Sequence, residues 1–407
     1  MRIFISFAAL LLSIMFVQLS SGAMGPLDAL SGLVLGFSSV EIGLLGSSHF
    51  AGFFLGCWLS PRLIGSVGHS RAFAVVASLG AIGALGHILT DSPYAWASLR
   101  VLSGMTIAGA YTVVESWFQA KATNETRGRV LGIYRFVDMG GSIAAQLMIG
   151  LLAPAAYASY TILAMLCCLS LMPLAISTST PPKVKSAPRL RPFFALTLSP
   201  LGAAGVIVAG LTGSSFRMVS PLYGAEQGLS GSDIGVFLAA GLLGGGLAQI
   251  PAGWLADCWD RRYAMIALSL ASLGMSGAIS LGAFAFPGGL YLSIFLFGTA
   301  AFPIYSVAAA HANDFCPDDS RVELNAGLMF WFAVGAILSP YIAALLIERY
   351  SASALFLYIA MAHLGLILFS FARVRRRASP EKRTPFLYRP RTTFIFQRLQ
   401  GKRTTKK

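Results

Sequence analysis

The amino-acid sequence predicts an all-α integral membrane protein in which twelve transmembrane helices form two pseudo-symmetric six-helix halves. Composition is the first observation: 56% of the residues are hydrophobic, 11% are charged and the mean hydropathy is +0.71. Soluble domains carry about a quarter charged residues, so this composition excludes that class. The second observation is a series of apolar runs of membrane-spanning length, and the third is an internal repeat.

Apolar runs bounded by charged residues or by Pro and Gly clusters mark the twelve predicted spans, because crossing a bilayer takes about twenty mainly apolar residues. The first 24 residues also resemble a secretory signal peptide, with an apolar stretch before SSGAMG. We expect a retained first helix instead, because the repeat needs one there. The approximate span centres are residues 14, 49, 82, 107, 141, 165, 208, 243, 273, 300, 334 and 361.

A polar, basic and proline-rich stretch, STSTPPKVKSAPRLRP, separates the sixth span from the seventh and is typical of a linker. The chain is therefore predicted to consist of an N-terminal six-helix half, a cytoplasmic linker, a C-terminal six-helix half and a basic cytoplasmic tail. Their predicted bounds are residues 1–176, 177–194, 195–373 and 374–407.

Lysine and arginine predict the orientation, because cytoplasmic loops carry an excess of both. The linker and each loop after an even-numbered span are basic, whereas the loops on the other side are nearly devoid of cations. Both termini are therefore predicted to lie in the cytoplasm. The basic loop residues include Arg62, Arg71, Lys121, Arg127, Arg129, Lys183, Lys185, Arg261, Arg262 and Arg321.

Two octets, GFSSVEIG at residues 36–43 and GLSGSDIG at residues 228–235, lie 192 residues apart and indicate a duplication. In each, a serine precedes an acid by three residues, which is typical of a helix start and favours a structural role over a ligand site. At the offset of 192 the aligned pairs are Ser38 and Ser230, Glu41 and Asp233, and Gly52 and Gly244. Spans four and ten align at an offset of 194, which pairs Tyr111 with Tyr305 and Arg127 with Arg321.

The net charge of +14 comes mostly from the C-terminal tail. From Arg373 onward there are thirteen Lys or Arg and one acid, Glu381, a balance of +12, which leaves +2 for the rest of the chain. A tail that follows a membrane span meets the anionic inner leaflet first. We therefore expect membrane lipids, and not nucleic acid, as its partner.

No motif predicts an enzyme. The sequence has no phosphate-binding loop, no Ser-His-Asp order and no zinc-ligand spacing, and its five cysteines form neither a metal nor a disulfide pattern. We expect no catalytic residue, no cofactor and no metal, and ATP-driven transport finds no support.

GWLADCWDRR, Gly253–Arg262, closes span eight and resembles a loop of the major facilitator superfamily that reads roughly Gly-x-Leu-Ala-Asp-x-x-Gly-Arg-Arg. Asp260 stands where the family usually has Gly. In the first half, PRLIGSVGHSR occupies the same place, with Gly65 where the Asp is usual. The matching positions are Gly253, Leu255, Ala256, Asp257, Arg261 and Arg262.

Further stretches carry the same resemblance. ASLRVLSG matches the family's span-four Arg-x-x-x-Gly pattern, VVESWFQAKATNETRGRVLGIY resembles its turn between spans four and five, and FPIYSVAAAHAND resembles the YcaD-like bacterial branch. The Gly-Pro signature of antiporters is absent from span five. The resemblance implies a monomeric, multi-pass secondary transporter of the bacterial inner membrane with the major facilitator fold.

Such a protein moves a small solute by alternating access around a site near the midplane, and protons are a candidate coupling partner. Two alternatives stay open. One is an efflux pump for drugs or metabolites, which the many aromatic residues would suit, and the other is a non-transporting membrane sensor built on a transporter fold.

Charges inside spans are candidates for function, because each costs about 2.5–3.5 kcal/mol or more in hydrocarbon. Arg100 and Asp138 are the candidates for coupling, with snorkelling of Arg100 and internal pairing of Asp138 to Arg135 as alternatives. Glu115 and Arg135 lie at similar predicted depth in the cytoplasmic half, so they are predicted to pair as a gate or as a static contact between helices.

The resemblance implies a further inner gate. It consists of the loop carboxylate Asp257, the neighbouring Arg261 and the acid Asp314 at the end of span ten. Arg262 lies beside this set. An outer gate is predicted between Asp28 and Arg217, which flank Pro-Leu pairs at the ends of spans one and seven. The alternative for Arg217 is snorkelling to the outer headgroups.

Polar neutral side chains on spans that line the cavity in the superfamily are candidates for binding the substrate. Each could equally be a hydrogen-bonded contact between helices. They are Gln18, Tyr111, Gln146, Gln249 and Tyr305.

Overall fold

The computed structural model describes residues 2–121, 127–176, 190–284 and 286–376, and within these ranges every regular element is a helix. Most of the predicted linker and the tail from residue 377 onward lie outside the described residues. The α-helices are α1 Arg2–Val34, α2 Ser39–Val67, α3 His69–Gly86, α4 Pro93–Lys121, α5 Arg127–Leu147, α6 Tyr157–Leu169, α7 Leu171–Ile176, α8 Pro192–Leu198, α9 Pro200–Glu226, α10 Gly231–Leu247, α11 Gln249–Cys258, α12 Arg261–Ser280, α13 Gly289–Ala301, α14 Ile304–Asp314, α15 Arg321–Arg349 and α16 Ala354–Val374.

The chain forms two compact units. The N-terminal unit consists of Met1–Ala187 with Ser230–Gly235, and the C-terminal unit consists of Pro188–Leu229 with Val236–Lys407. Helices α1–α7 belong to the first, and α8, α9 and α11–α16 belong to the second. The four predicted regions stay predictions in their precise bounds.

Among the described residues, eleven helical segments are long and apolar enough to cross a membrane. They correspond to all the predicted spans except the fifth. That span is the helix α5, which carries Arg135 and Asp138 in its interior and is therefore too polar to qualify by composition. The all-α membrane fold is confirmed, whereas the count of twelve stays a prediction.

Three spans are made of two consecutive helices. The eighth is α10 followed by α11 and the sixth is α6 followed by α7. In the tenth, α13 ends before Phe302 and α14 begins after Pro303, whose ring nitrogen has no hydrogen to donate to the preceding turn.

The two octets begin helices by the same mechanism. The Ser38 side chain accepts a hydrogen bond from the Glu41 amide, and the Glu41 carboxylate accepts one from the Ser38 amide, which forms a capping box. Ser230 and Asp233 exchange the corresponding bonds. A glycine with positive φ opens each octet, at 78° for Gly36 and at 74° for the residue 192 positions later. These contacts are those of a helix start.

Close helix crossings repeat in the two units as well. A Cβ on Gly52 of α2 would overlap the Val101 carbonyl oxygen of α4, so only glycine fits that crossing. Gly244 of α10 meets the Phe295 carbonyl of α13 in the same way. Because these pairs are related by offsets of 192 and 194, the duplication extends from sequence to helix packing. Their reciprocal contacts, Gly104 with His49 and Gly298 with Gly241, are related by the same offsets.

Candidate functional site: three polar clusters

A hydrogen-bonded cluster around Asp138 joins α1, α4 and α5 inside the N-terminal unit. The Gln18 side-chain amide donates to Asp138 Oδ1 over 2.8 Å and to the Tyr111 hydroxyl oxygen over 2.6 Å. The Tyr111 hydroxyl in turn donates to Asp138 Oδ1 over 2.7 Å. Two side chains from two other helices thus share one carboxylate oxygen of α5. Gln18, Tyr111 and Asp138, together with Glu115, Tyr134 and Arg135, form what we call the Asp138 network.

Arg135 links that carboxylate to a second one. Its guanidinium lies 3.3 Å from Asp138 Oδ2 and 3.5 Å from Glu115 Oε1, and the Tyr134 hydroxyl donates to Glu115 Oε1 over 3.1 Å. The Arg135 guanidinium also lies over the Tyr134 ring, 4.6 Å from its centroid, which is a cation–π arrangement. Two carboxylates therefore share one arginine.

Of the residues singled out in the sequence, the structure brings Gln18, Tyr111, Glu115, Arg135 and Asp138 together in this one network. The buried Glu115 has no exposed side-chain surface, whereas the Asp138 side chain is 16% exposed. The predicted Glu115–Arg135 pair and the alternative Arg135–Asp138 pair both form. The assignment of these residues to gating, coupling or substrate binding stays a prediction.

A second cluster in the same unit surrounds Asp28 of α1. Asp28 Oδ2 lies 3.4 Å from the Arg100 Nε atom of α4 and 3.5 Å from His87 Nε2, and the Tyr160 hydroxyl donates to Asp28 Oδ1 over 3.0 Å. The His87 Nδ1 atom lies 2.6 Å from the Gly83 carbonyl oxygen. All four side chains are buried. Charge compensation explains how an aspartate and an arginine can lie here together.

Aromatic rings close this Asp28 cluster from solvent. The His87 ring stacks on Tyr160 with 5.1 Å between centroids and lies 4.7 Å from the Trp96 ring, whose indole nitrogen donates to the Thr90 carbonyl over 2.6 Å. His87, Tyr160 and Trp96 are functional candidates that the sequence analysis missed. The available signal was a histidine at the end of an apolar run, one short loop away from Arg100.

The Asp28 cluster bears on two predictions. Arg100, a candidate for coupling or snorkelling, is fully buried against Asp28. Asp28 itself is engaged by residues of its own unit, and Arg217 is an exposed residue of α9 in the other unit. The proposed outer gate between Asp28 and Arg217 stays a prediction.

A third cluster lies at the junction of α11, α12 and α14 in the C-terminal unit. The buried Arg261 guanidinium lies 2.7 Å from Asp314 Oδ1 and 3.4 Å from Asp257 Oδ1. Arg262 points to a different partner, Asp260, with donor–acceptor distances of 2.6 to 3.1 Å. The residue that departs from the family pattern, Asp260, thus caps α12 and fixes Arg262. The three residues implied by the resemblance do meet, and their role as a gate stays a prediction.

The corresponding place in the N-terminal unit has no carboxylate. His69 begins α3 there, and its ring meets Trp117 edge-on with 5.5 Å between centroids. The two units therefore differ in charge at the loop after their second span.

The other cavity candidates make separate contacts. Gln146 donates to the Gly22 carbonyl over 3.1 Å, which is a contact between helices. Gln249 donates to the Gly245 carbonyl and accepts from the Ser306 hydroxyl. The buried Tyr305 ring meets Phe332 edge-on. Within the part of the chain that the structure describes, no group of three or more His, Cys, Asp or Glu side chains could hold a metal ion.

Comparison with known proteins places this architecture. A family model described as Major Facilitator Superfamily matches residues 202–400. An uncharacterized MFS-type transporter of Enterobacter sp. (strain 638) is 28% identical over 351 residues, which cover 85% of this chain and 88% of that protein. The chain is similar to the major facilitator superfamily in its C-terminal half and to MFS-type transporters over most of its length. The uncharacterized MFS-type transporter YcaD of Escherichia fergusonii is 27% identical over 346 residues, covering 84% and 88% of the two chains, so the resemblance to the YcaD-like branch is confirmed.

Solved structures of transporters share the fold of this chain. The nucleoside transporter NupG aligns with a TM-score of 0.75 at 15% identity, covering 92% of this chain and all of that one. The D-xylose-proton symporter aligns with a TM-score of 0.69 at 14% identity, covering 94% of this chain. Together with the family model and the MFS-type relatives, these structures confirm the prediction of a secondary transporter. They do not identify its substrate.

Proposed function

We propose that this secondary transporter moves a small polar solute across the bacterial inner membrane by alternating access, and that Asp138 carries the coupled proton. The observation behind the proposal is the Asp138 network, in which one partly exposed carboxylate accepts hydrogen bonds from Gln18 and Tyr111 and pairs with Arg135. Helices α1, α4 and α5 meet there, and such intramembrane charges are retained where they serve a function.

Protonation of Asp138 would change the network in a defined way. The neutral acid no longer holds Arg135 by charge, so the guanidinium is left with Glu115 as its one anionic partner in the network. A protonated carboxyl group also donates one hydrogen bond, so it competes with Tyr111 for acceptors. Proton binding and rearrangement of Gln18 and Tyr111 are thereby linked.

A solute with hydroxyl or amide groups can use the same partners. Gln18 and Tyr111 offer both donors and acceptors, and a polar solute replaces the bonds that protonation of Asp138 loosens. Because both ligands act on one network, each changes the affinity for the other, which is what coupling requires. An apolar efflux substrate would leave these polar groups unpaired, and for that reason the network favours a polar solute.

The solute can be found by a thermal-shift screen of the purified protein, in which bound compounds raise the unfolding temperature. Nucleosides and D-xylose are the first compounds to test, because structural neighbours of the fold are named as transporters of these classes. Uptake of each hit into proteoliposomes is then measured with and without an imposed proton gradient.

The coupling role of Asp138 has a matched control. Asp138→Asn should abolish the gain in uptake that the gradient gives, while counterflow of the solute without a gradient persists. Asp91→Asn makes the same chemical change at an exposed loop residue and should leave both unchanged. Gradient-driven uptake by Asp138→Asn at the level of the unchanged protein would exclude Asp138 as the proton carrier.

A further inference from the structure

A small open cleft lies at one end of the C-terminal unit, where four helix ends meet. Ser199 and Leu201 line it at the start of α9, Arg262 at the start of α12, His311 near the end of α14 and Arg373 near the end of α16. The distribution of Lys and Arg predicts that this end faces the cytoplasm. The cleft is separate from the Asp138 network, which belongs to the other unit.

Basic side chains line the cleft. Two guanidinium groups and an imidazole contribute to it, and no carboxylate does so among the described residues. Arg262 is held in place by its bonds to Asp260, whereas Arg373 is half-buried and forms no ion pair within the described part of the chain. A fixed arginine and an uncompensated one thus face the same space, which favours an anion.

The start of α9 adds to this preference. Ser199 caps the helix by accepting a hydrogen bond from the Gly202 amide, and the 27-residue helix directs the positive end of its dipole toward the cleft wall. Helix N-termini favour anions through such dipoles and through their unpaired amides. The arginines and the helix end therefore act on one ligand.

Exposed aromatic residues indicate the depth of the cleft in the membrane. Trp254 and Trp259 precede Arg262 and Tyr263 follows it, and all three side chains are exposed. Tryptophan and tyrosine concentrate at the headgroup level of a bilayer. The cationic cleft therefore lies where the phosphates of membrane lipids lie.

We propose that this cleft binds the phosphate group of an anionic phospholipid of the inner leaflet, with Arg373 and Arg262 as its ligands. The same phosphate chemistry could come from free inorganic phosphate. The location at headgroup level favours the lipid, because its concentration there far exceeds that of a solute.

The test uses the full chain purified in detergent, with phosphatidylglycerol titrated in and retained lipid measured by native mass spectrometry. Arg373→Gln should weaken binding of phosphatidylglycerol about tenfold, the loss expected for one charge-assisted hydrogen bond. Arg375→Gln removes the same charge from the same helix end outside the cleft lining and should change binding less than about twofold. Arg373→Lys, which keeps the charge, should recover part of the affinity.

Two outcomes would overturn the proposal. Equal losses in the Arg373 and Arg375 variants would mean that lipid is attracted by general surface charge, including that of the tail. Displacement of phosphatidylglycerol by an equal concentration of inorganic phosphate would assign the cleft to free phosphate and not to lipid.

Discussion

Replacing Asp314 by Asn should destabilise the C-terminal unit much more than replacing Asp257, although both carboxylates contact Arg261. The reason is burial. The Asp314 side chain is 2% exposed and lies 2.7 Å from the guanidinium, whereas Asp257 is 46% exposed and lies 3.4 Å away. The Arg261 side chain itself is 1% exposed, so its charge depends on protein partners and not on water.

The magnitudes follow from these positions. Removing one partner of a buried ion pair strands the other charge and costs about 3–5 kcal/mol. Removing a half-exposed partner costs about 1 kcal/mol or less, because water replaces it. Asp314→Asn should therefore lower the free energy of unfolding by about 3–5 kcal/mol and Asp257→Asn by about 1 kcal/mol at most.

The assay is thermal unfolding of purified variants in detergent, followed by transport measurements on those that remain folded. The double variant Asp314→Asn with Arg261→Met serves as the internal control, since removing the stranded charge should recover much of the loss. Equal stability of the two single variants, or no recovery in the double variant, would refute the view that burial ranks these carboxylates.

Three further outcomes are expected. Gly52→Ala should lower stability by about 1–3 kcal/mol, because the new Cβ overlaps the backbone of α4. Gly65→Ala on the same helix, where nothing lies within 4 Å, should be neutral or slightly stabilising. Equal thermal midpoints of the two variants would contradict the argument that only glycine fits the crossing. Asp28→Asn should cost about 3–5 kcal/mol by stranding the buried Arg100, and an unchanged midpoint would mean that the Asp28 cluster is not held by charge. A reporter enzyme active only outside the cytoplasm should stay silent when fused after Lys407, and strong activity would reverse the predicted orientation.

Composition and the apolar runs were sufficient to predict the all-α membrane fold, because a backbone in hydrocarbon must satisfy its own hydrogen bonds and a helix does so within one segment. The repeat could also be predicted, since Ser38 and Ser230 cap their helices through local bonds that sequence spacing determines. Composition alone could not show whether the fifth span crosses the membrane. The charges of Arg135 and Asp138 in α5 are compensated by side chains on other helices, and the hydropathy of α5 does not count those contacts.

In the polar clusters too, some contacts could be predicted from the sequence and others depend on how the helices pack. Depth along each span suggested that Glu115 and Arg135 would meet, and they do. Depth alone did not suggest Tyr134 as a further partner of Glu115, because that contact depends on how α4 and α5 are rotated about their axes. Likewise, the sequence identifies Arg100 as a costly buried charge but pairs Asp28 with Arg217. In the structure, Asp28 of α1 is the partner of Arg100. Long-range partners of this kind require the packed structure.

The contrast between the two aspartates of the N-terminal unit bears on the proposed proton coupling. Asp28 is 2% exposed, lies between Arg100 and His87, and is closed in by the rings of Tyr160 and Trp96. A group that exchanges protons with solvent during each cycle needs a water route, and a sealed ion pair offers none without opening the cluster. Asp138 is partly exposed, and two of its partners are the neutral groups Gln18 and Tyr111, which can rotate to other acceptors at low cost. Charge compensation therefore suits Asp28 to holding α1 against α4, and the partial exposure of Asp138 supports the proposal that it binds and releases a proton.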